Sequence, residues 1–382
     1  MTVDALMINN DGDTMIADTD VTYAERAALA EDAKALNLTQ FWEQRLDIEL
    51  LAPRATAEPF RWKWTDIEPR LRIASRTVPI EECERRALVF ANPGLGGRPF
   101  ITNTLFAAYS LYNPGEKAPV HRHTPCASRF VLDGDGGYTV VEGEKLQMAR
   151  GDLVITPNGT WHDHGNDGKD AIIWVDVLDV PMVEAFNATV FEFDYLDVDG
   201  EKATYQAHKH AVGYSTAMYS TGGIKPLNVD HQRGLNRHSP MFIYRWADTQ
   251  KALRAIREHT IDLHDGVMVE YVDPTDGASV MQTMAFRCQM LDAGMITLPQ
   301  RRMSSAMYVV LEGEGKTEIN GATLEWKRND VFAIPSWSWY RHCAGTSGEA
   351  ILYSVSDEVA ARKLGYYQRE IRDEAGDVMR TS

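Results

Sequence analysis

Three histidines carry the spacing from which chemistry can be read. His121 and His123 lie in a segment running from Gly115 through five residues to His121-Arg122-His123 and on to Gly134. His162 closes a second segment: Gly151, five residues, Pro157-Asn158-Gly159, two residues, His162, three residues, Asn166. Side chains alternate faces along a β-strand, so both imidazoles of a His-x-His pair point to one side. A third histidine on another strand of the same barrel completes a facial set of three nitrogens. Half of an octahedral ion is then left open for reaction.

This double segment resembles the metal-binding motifs of the cupin family, and further blocks narrow the likeness. Residues 60–64 (FRWKW), 84–88 (ERRAL), 91–97 (ANPGLGG), 128–131 (SRFV) and 239–246 (SPMFIYRW) resemble the gentisate 1,2-dioxygenase family. Close relatives in that family cleave salicylate and 1-hydroxy-2-naphthoate. The likeness runs from about Trp62 to the second repeat near Trp339. It implies an all-β core with helical arms, arranged as a bicupin of two double-stranded β-helix barrels in one chain. It also implies one Fe(II) per chain on His121, His123 and His162, gentisate and O2 as substrates, maleylpyruvate as product, and a homotetramer. Many metal cupins add a glutamate after the His pair; by motif that place holds Ala127. Three neutral imidazoles leave a dication uncompensated, which suits a substrate binding through a carboxylate and an adjacent hydroxyl. Imidazole alone fits Fe(II), Zn, Ni, Cu and, less tightly, Mn.

Strand parity supplies the neighbours. His164, two after His162, is expected on the inward face, where it bonds a substrate oxygen and acts as acid or base. Arg129 shares the parity of His121 and His123, and an inward arginine needs an anion, from substrate or from protein. Asp176 interrupts the apolar run AIIWVDVL and is expected to be partly buried and paired with a pocket Arg or His, in a structural or a catalytic supporting role. One of Arg85 and Arg86 is expected to face inward; Arg85 is favoured for the substrate carboxylate. Phe106, Ala108 and Ser110 share one face of the strand before the first motif, and Phe106 and Ala108 are candidates for the apolar wall against the ring.

The elements that position these groups follow from pattern. Residues 1 to about 20 are polar and expected to be without regular structure. Residues 22–46 read as helical, with Thr39 a candidate cap for the second piece. The expected organisation is a tail, helical arm and connector over 1–84, the metal-binding barrel over 85–190, an inter-barrel segment over 191–265, a second barrel over 266–356, and a C-terminal helix and tail over 357–382. Within both barrels, short apolar runs alternate with Gly, Pro, Asn and Asp turns. Residues 248–260 read as an amphipathic helix. The second barrel repeats the turn residues of the first with its ligands replaced: Gly294, five residues, Gln300-Arg301-Arg302, Gly313, then Asp330, Pro335 and Tyr340.

Composition bounds the rest. At 382 residues the chain holds about two domains, and its formal charge of −16 disfavours nucleic acid and anionic membrane. No apolar run is long enough to span a bilayer, and the acidic N-terminus lacks a signal peptide's basic region, so cytoplasmic residence is expected. Four cysteines without Cys-x-x-Cys spacing argue against a zinc ribbon or a disulfide scaffold. His208-Lys209-His210 repeats the His-x-His spacing without the flanking glycine or downstream partner, and reads as a polar surface segment, as do Asp262 and His264. The Gly-rich stretch 94–97 lacks the Lys-Ser/Thr ending of a phosphate loop and reads as a turn. A metal cupin isomerase and a non-catalytic binding cupin are the readings from other classes.

Overall fold

The structure, a computed structural model, describes residues 23–83, 86–195, 209–231 and 237–381. The expectation for residues 1–20 therefore lies outside the described residues. The chain divides into two units, Met1–Pro53 and Arg54–Ser382. The first contains helices α1 (Tyr23–Ala35) and α2 (Phe41–Ile48). The residue that caps α2 is Gln40, without a side-chain cap bond, so Thr39 stands one position too early to be the cap.

In the second unit, β1 (Phe60–Trp62), α3 (Trp64–Thr77) and α4 (Ile80–Cys83) precede the first barrel. That barrel is built from β2 (Ala87–Val89), β3 (Phe106–Tyr112), β4 (Arg122–His123), β5 (Ala127–Asp133), β6 (Gly137–Val141), β7 (Glu144–Gln147), β8 (Leu153–Thr156), β9 (His162–Asn166) and β10 (Ile172–Leu178). Between the barrels come α5 (Val180–Ala185), β11 (Phe191–Glu192), α6 (Tyr214–Tyr219), β12 (Ile243–Tyr244) and α7 (Trp246–Arg257). The second barrel contains β13 (Val267–Glu270), β14 (Ala285–Leu291), β15 (Gln300–Arg302), β16 (Ala306–Glu312), β17 (Glu314–Ile319), β18 (Ala322–Lys327), β19 (Val331–Ile334), β20 (Tyr340–Ala344) and β21 (Ala350–Ser356). It is followed by α8 (Glu358–Lys363), β22 (Arg369–Arg372) and β23 (Val378–Arg380).

Each barrel is two facing sheets. In the first, the order β12-β8-β5-β10-β3-β2 faces β7-β6-β9 and the pair β11-β4. In the second, β1-β19-β16-β21-β14-β13 faces β18-β17-β20-β15-β22-β23. Two such barrels in one chain are the bicupin arrangement that the resemblance implies. The central strands β10 and β21 are buried along their whole length, which explains why both are mostly apolar, with Asp176 in the first and Ser354 and Ser356 in the second as the polar exceptions. One face lines its own barrel and the other meets the neighbour, where Phe130 stacks on Tyr353 with ring centroids 3.9 Å apart. Two buried aspartates clasp the barrels reciprocally. Asp179, after β10, accepts from Cys126 N and from Thr283 Oγ1; Asp357, after β21, accepts from Ser305 N and from Thr104 Oγ1.

Local deviations from the sequence pattern have physical causes. The segment read as a connector lends β1 to the second barrel, with Phe60 opposite Ala333 and Trp62 opposite Val331. The C-terminal helix is shorter than its composition suggests: Gly365 at φ +75° turns the chain, and the tail returns as β22 and β23. His264, read as surface, is buried and bonds the carbonyl of Arg372. His208 lies outside the described residues, while His210 stacks on Tyr214 at 4.7 Å. Among the described residues no helix is long and apolar enough to cross a membrane.

Candidate metal centre

The backbone brings the three histidines together before their side chains do. His121 and His162 form an antiparallel bridge, each N–H donating to the other's carbonyl at 3.0 and 2.9 Å. β9 pairs with β6 so that His162 faces Val141 and His164 faces Thr139. Side-chain alternation then turns His121, His123, His162 and His164 into the barrel, where all four are buried.

Hydrogen bonding fixes which nitrogen of each ring is available. The Nδ1 of His121, His123 and His162 lies 2.7, 2.7 and 2.8 Å from the carbonyls of Pro119, Pro125 and Thr160. A carbonyl only accepts, so each Nδ1 carries the hydrogen and each Nε2 carries the lone pair. One nitrogen from each of the three rings lies within 4.8 Å of the others. Among the described residues, no hydrogen-bond partner reaches the buried His162 Nε2. Burial, helped by its neighbours His121 and His123, holds the His162 imidazole well below its usual range, in the neutral form a metal requires. A buried, convergent, preoriented set of imidazole lone pairs fits a metal site.

Behind the triad runs a polar relay across the barrel. Arg129 Nη2 donates to His164 Nε2 at 2.8 Å, and Arg129 Nη1 donates to Thr156 Oγ1 at 2.8 Å. Arg129 Nε lies 3.2 Å from Asp176 Oδ1, and strand register places Asp176 opposite Arg129 on one side and Ala108 on the other. Asp176 Oδ2 also accepts from Ser110 Oγ and, at 3.0 Å, from Trp174 Nε1. His164 Nδ1 sits 3.1 Å from Thr139 Oγ1. Since a guanidinium only donates, His164 Nε2 is an acceptor and its Nδ1 carries the hydrogen.

The structure thus brings together His121, His123, His162, His164, Arg129, Asp176 and Ala108. Phe106, half-buried, begins the same inward face of β3 opposite Leu178. Arg85 lies outside the described residues. Arg86 is buried in a two-pronged pair with Glu116 at 2.8 and 2.8 Å, a tertiary brace. Two features escaped the sequence pattern. Thr139 and Thr156 hold His164 and Arg129, and Thr139 was accessible in principle through the register of β6 on β9. β11 pairs with the ligand strand β4, setting Phe191 against His123 at 5.0 Å and Phe193 6.3 Å from His121. A two-residue strand leaves no periodicity to detect.

Comparisons with known proteins agree with this architecture. Residues 108–178 match the family described as Cupin domain. The chain is 36% identical over 362 residues to gentisate 1,2-dioxygenase 1 of Aquipseudomonas alcaligenes, covering 92% of this chain and 100% of that protein. It is 34% identical to the 5-aminosalicylate 1,2-dioxygenase of a Comamonas species, covering 90% of this chain and 89% of the relative. Among solved structures, the salicylate 1,2-dioxygenase of Pseudoaminobacter salicylatoxidans in its gentisate adduct superposes with a TM-score of 0.84 at 30% identity, covering 96% of this chain and 99% of that one.

Proposed function

This chain belongs to the gentisate 1,2-dioxygenase family of ring-cleaving dioxygenases, and on that premise we propose that it opens gentisate with O2 to maleylpyruvate, using one Fe(II) held by His121, His123 and His162. The observation that carries the reading is the convergence of three buried ring nitrogens, each fixed by a carbonyl on its far side. When bound there, Fe(II) supplies open coordination positions and the electron exchange through which an electron-rich ring and O2 react.

The protein's own groups bind and orient. Arg129 sets a permanent positive charge on the inward face, suited to a substrate oxygen that carries negative charge. Asp176 fixes the guanidinium plane from one side and Thr156 from another, so the charge is already aimed before substrate arrives. His164, its Nε2 committed to Arg129, acts in our reading as the orienting partner of that arginine and as a polar neighbour of the substrate oxygens. Ala108, small and opposite Asp176, leaves width for the ring, and Phe106 forms an apolar wall. Arg85 remains our candidate for the substrate carboxylate.

Salicylate is the second reading, supported by the likeness to a salicylate 1,2-dioxygenase along nearly the whole chain. Protein purified without oxygen should carry about one iron per chain. It should consume O2 with gentisate at a rate at least about tenfold above that with salicylate or 1-hydroxy-2-naphthoate, followed by electrode and by the ultraviolet absorbance of each opened product. Salicylate turned over as fast as gentisate would defeat the substrate assignment. Turnover without O2 uptake would defeat the dioxygenase reading.

A further inference from the structure

The strands that carry the ligand histidines are joined by little backbone. β4 is two residues long and, among the described residues, pairs as a strand with β11 alone, while His121 meets His162 through an isolated bridge. The inward face of this strip carries the imidazoles. Its outward face carries a row of side chains that crosses the same strands. Antiparallel register places Arg122 opposite Glu192 on one side and opposite Trp161 on the other. Arg122 Nη2 donates to Glu192 Oε2 at 2.7 Å, and the guanidinium lies over the Trp161 ring, 4.9 Å from its centroid. Trp161 is clipped in turn. Its N–H donates to Glu142 Oε1 at 2.7 Å, and the Glu142 N–H donates to the Trp161 carbonyl at 2.9 Å. Glu142 keeps this place at φ +47°, a left-handed conformation that its side chain adopts only at a cost.

The same row recurs in the second barrel. Gln300 pairs with Tyr340 as His121 pairs with His162. Arg301 therefore stands opposite Trp339 on one side and opposite Glu370 of β22 on the other. Arg301 Nη2 donates to Glu370 Oε2 at 2.6 Å, and its guanidinium lies 4.8 Å from the Trp339 ring centroid. The Trp339 N–H donates to Asn320 Oδ1 at 2.9 Å, and the Asn320 N–H donates to the Trp339 carbonyl at 2.9 Å, with Asn320 at φ +48°. The two barrels thus differ on the inward face, where the described residues of the second form no histidine triad, and agree on the outward one. Carboxylate, arginine, tryptophan and left-handed clip form one unit that fastens short strands to one another. In the first barrel those strands hold the ligands.

We propose that Arg122 is a positioning residue of the metal centre, a role that rests on the three histidines binding metal. Clamped between Glu192 and Trp161, it fixes β4 against β9 at the spacing where the three ring nitrogens converge, and so sets how slowly the ion leaves. Small displacements suffice for this. Metal–ligand distances hold within about 0.2 Å, so a larger slip between the two strands loosens a bond. Arginine suits the place because its flat guanidinium stacks on an indole while its edge reaches a carboxylate, which the point charge of lysine does less well.

The full chain, loaded with Fe(II) without oxygen and then mixed with a coloured iron chelator, tests this through the rate of iron release. Arg122→Met is expected to release iron about fivefold faster than the parent. Arg122→Lys, which keeps a cation beside the indole, is expected to recover part of that loss. Arg301→Met removes the same clamp from the barrel without the triad. It is expected to lower the melting temperature of the metal-free chain, as Arg122→Met does, yet to release iron at the parent's rate. Parental release from Arg122→Met, no recovery in Arg122→Lys, or equal acceleration in Arg301→Met overturns the proposal while leaving the metal reading intact. A parent chain that takes up no iron overturns both. Should Arg122→Met fail to fold, Glu192→Gln, which keeps the shape and removes the charge, is read in its place.

Discussion

Each ligand ring is anchored on one nitrogen and offered on the other, so removing a single ring breaks the set without removing its supports. His162→Ala is expected to lower metal occupancy by at least about tenfold and to abolish O2 uptake, by metal analysis and electrode on the same sample. Arg129→Lys separates binding from orientation. Lysine keeps the charge but cannot reach Thr156, His164 and Asp176 from one rigid plane. Its kcat should fall by about 10²-fold with metal occupancy unchanged; loss of metal along with rate would place Arg129 in the fastening of the triad instead. The sequence made this set legible because spacing and parity are local: His-x-His, the third histidine, and the inward parity of Arg129 and His164 all follow from strand alternation. The partner of Arg86 was not legible, because Glu116 lies 30 residues away and no local pattern joins them.

At the scale of the element, the site depends on β9, which carries His162 and His164 on alternate positions, with Gly165 next to them. A Cβ on Gly165 would stand 2.5 Å from the Tyr138 hydroxyl and 2.6 Å from its ring carbon. Gly165→Ala is therefore expected to cost about 1–3 kcal/mol and to weaken metal binding together with stability, since the buried Tyr138 ring and β9 must move apart. Gly348→Ala, which meets nothing within 4 Å, serves as the control and should leave both unchanged. Calorimetric melting with and without added metal checks the pair. The second barrel adds a natural comparison, because Thr317 holds His342 there much as Thr139 holds His164, though its described residues form no histidine triad. The Thr–His pairing thus belongs to barrel architecture, while the Arg129–Asp176 extension belongs to the barrel with the triad. Turn-bounded strands and the amphipathic α7 could be read from pattern. β11 and the returning tail could not, because pairings this short are decided by tertiary contact alone.

For the whole molecule, the reciprocal clasp between barrels ties stability to pH. Burial raises the Asp357 carboxyl to about 6, against the hydrogen bond from Thr104 that lowers it. A value raised above the unfolded one, near 4, means that the folded state holds the proton longer. The stability this supplies is fully present below about pH 4 and is lost as pH rises through about 6. The melting temperature of the parent minus that of Asp357→Asn should accordingly fall between about pH 4 and 6.5 and then level off; a difference that grows with pH contradicts the assignment. Exposed apolar side chains on α1 and α2, among them Phe41 and Trp42, suit the self-association that the family resemblance implies, and light scattering of the full chain is expected to report a tetramer. The central claim concerns where iron sits in a chain with two barrels and, among its described residues, one triad. Crystals of anaerobically iron-loaded protein, measured across the iron absorption edge, should give one peak per chain, bonded to Nε2 of His121, His123 and His162, and none in the second barrel. Iron elsewhere, or three rings turned away from a common point, would contradict the account.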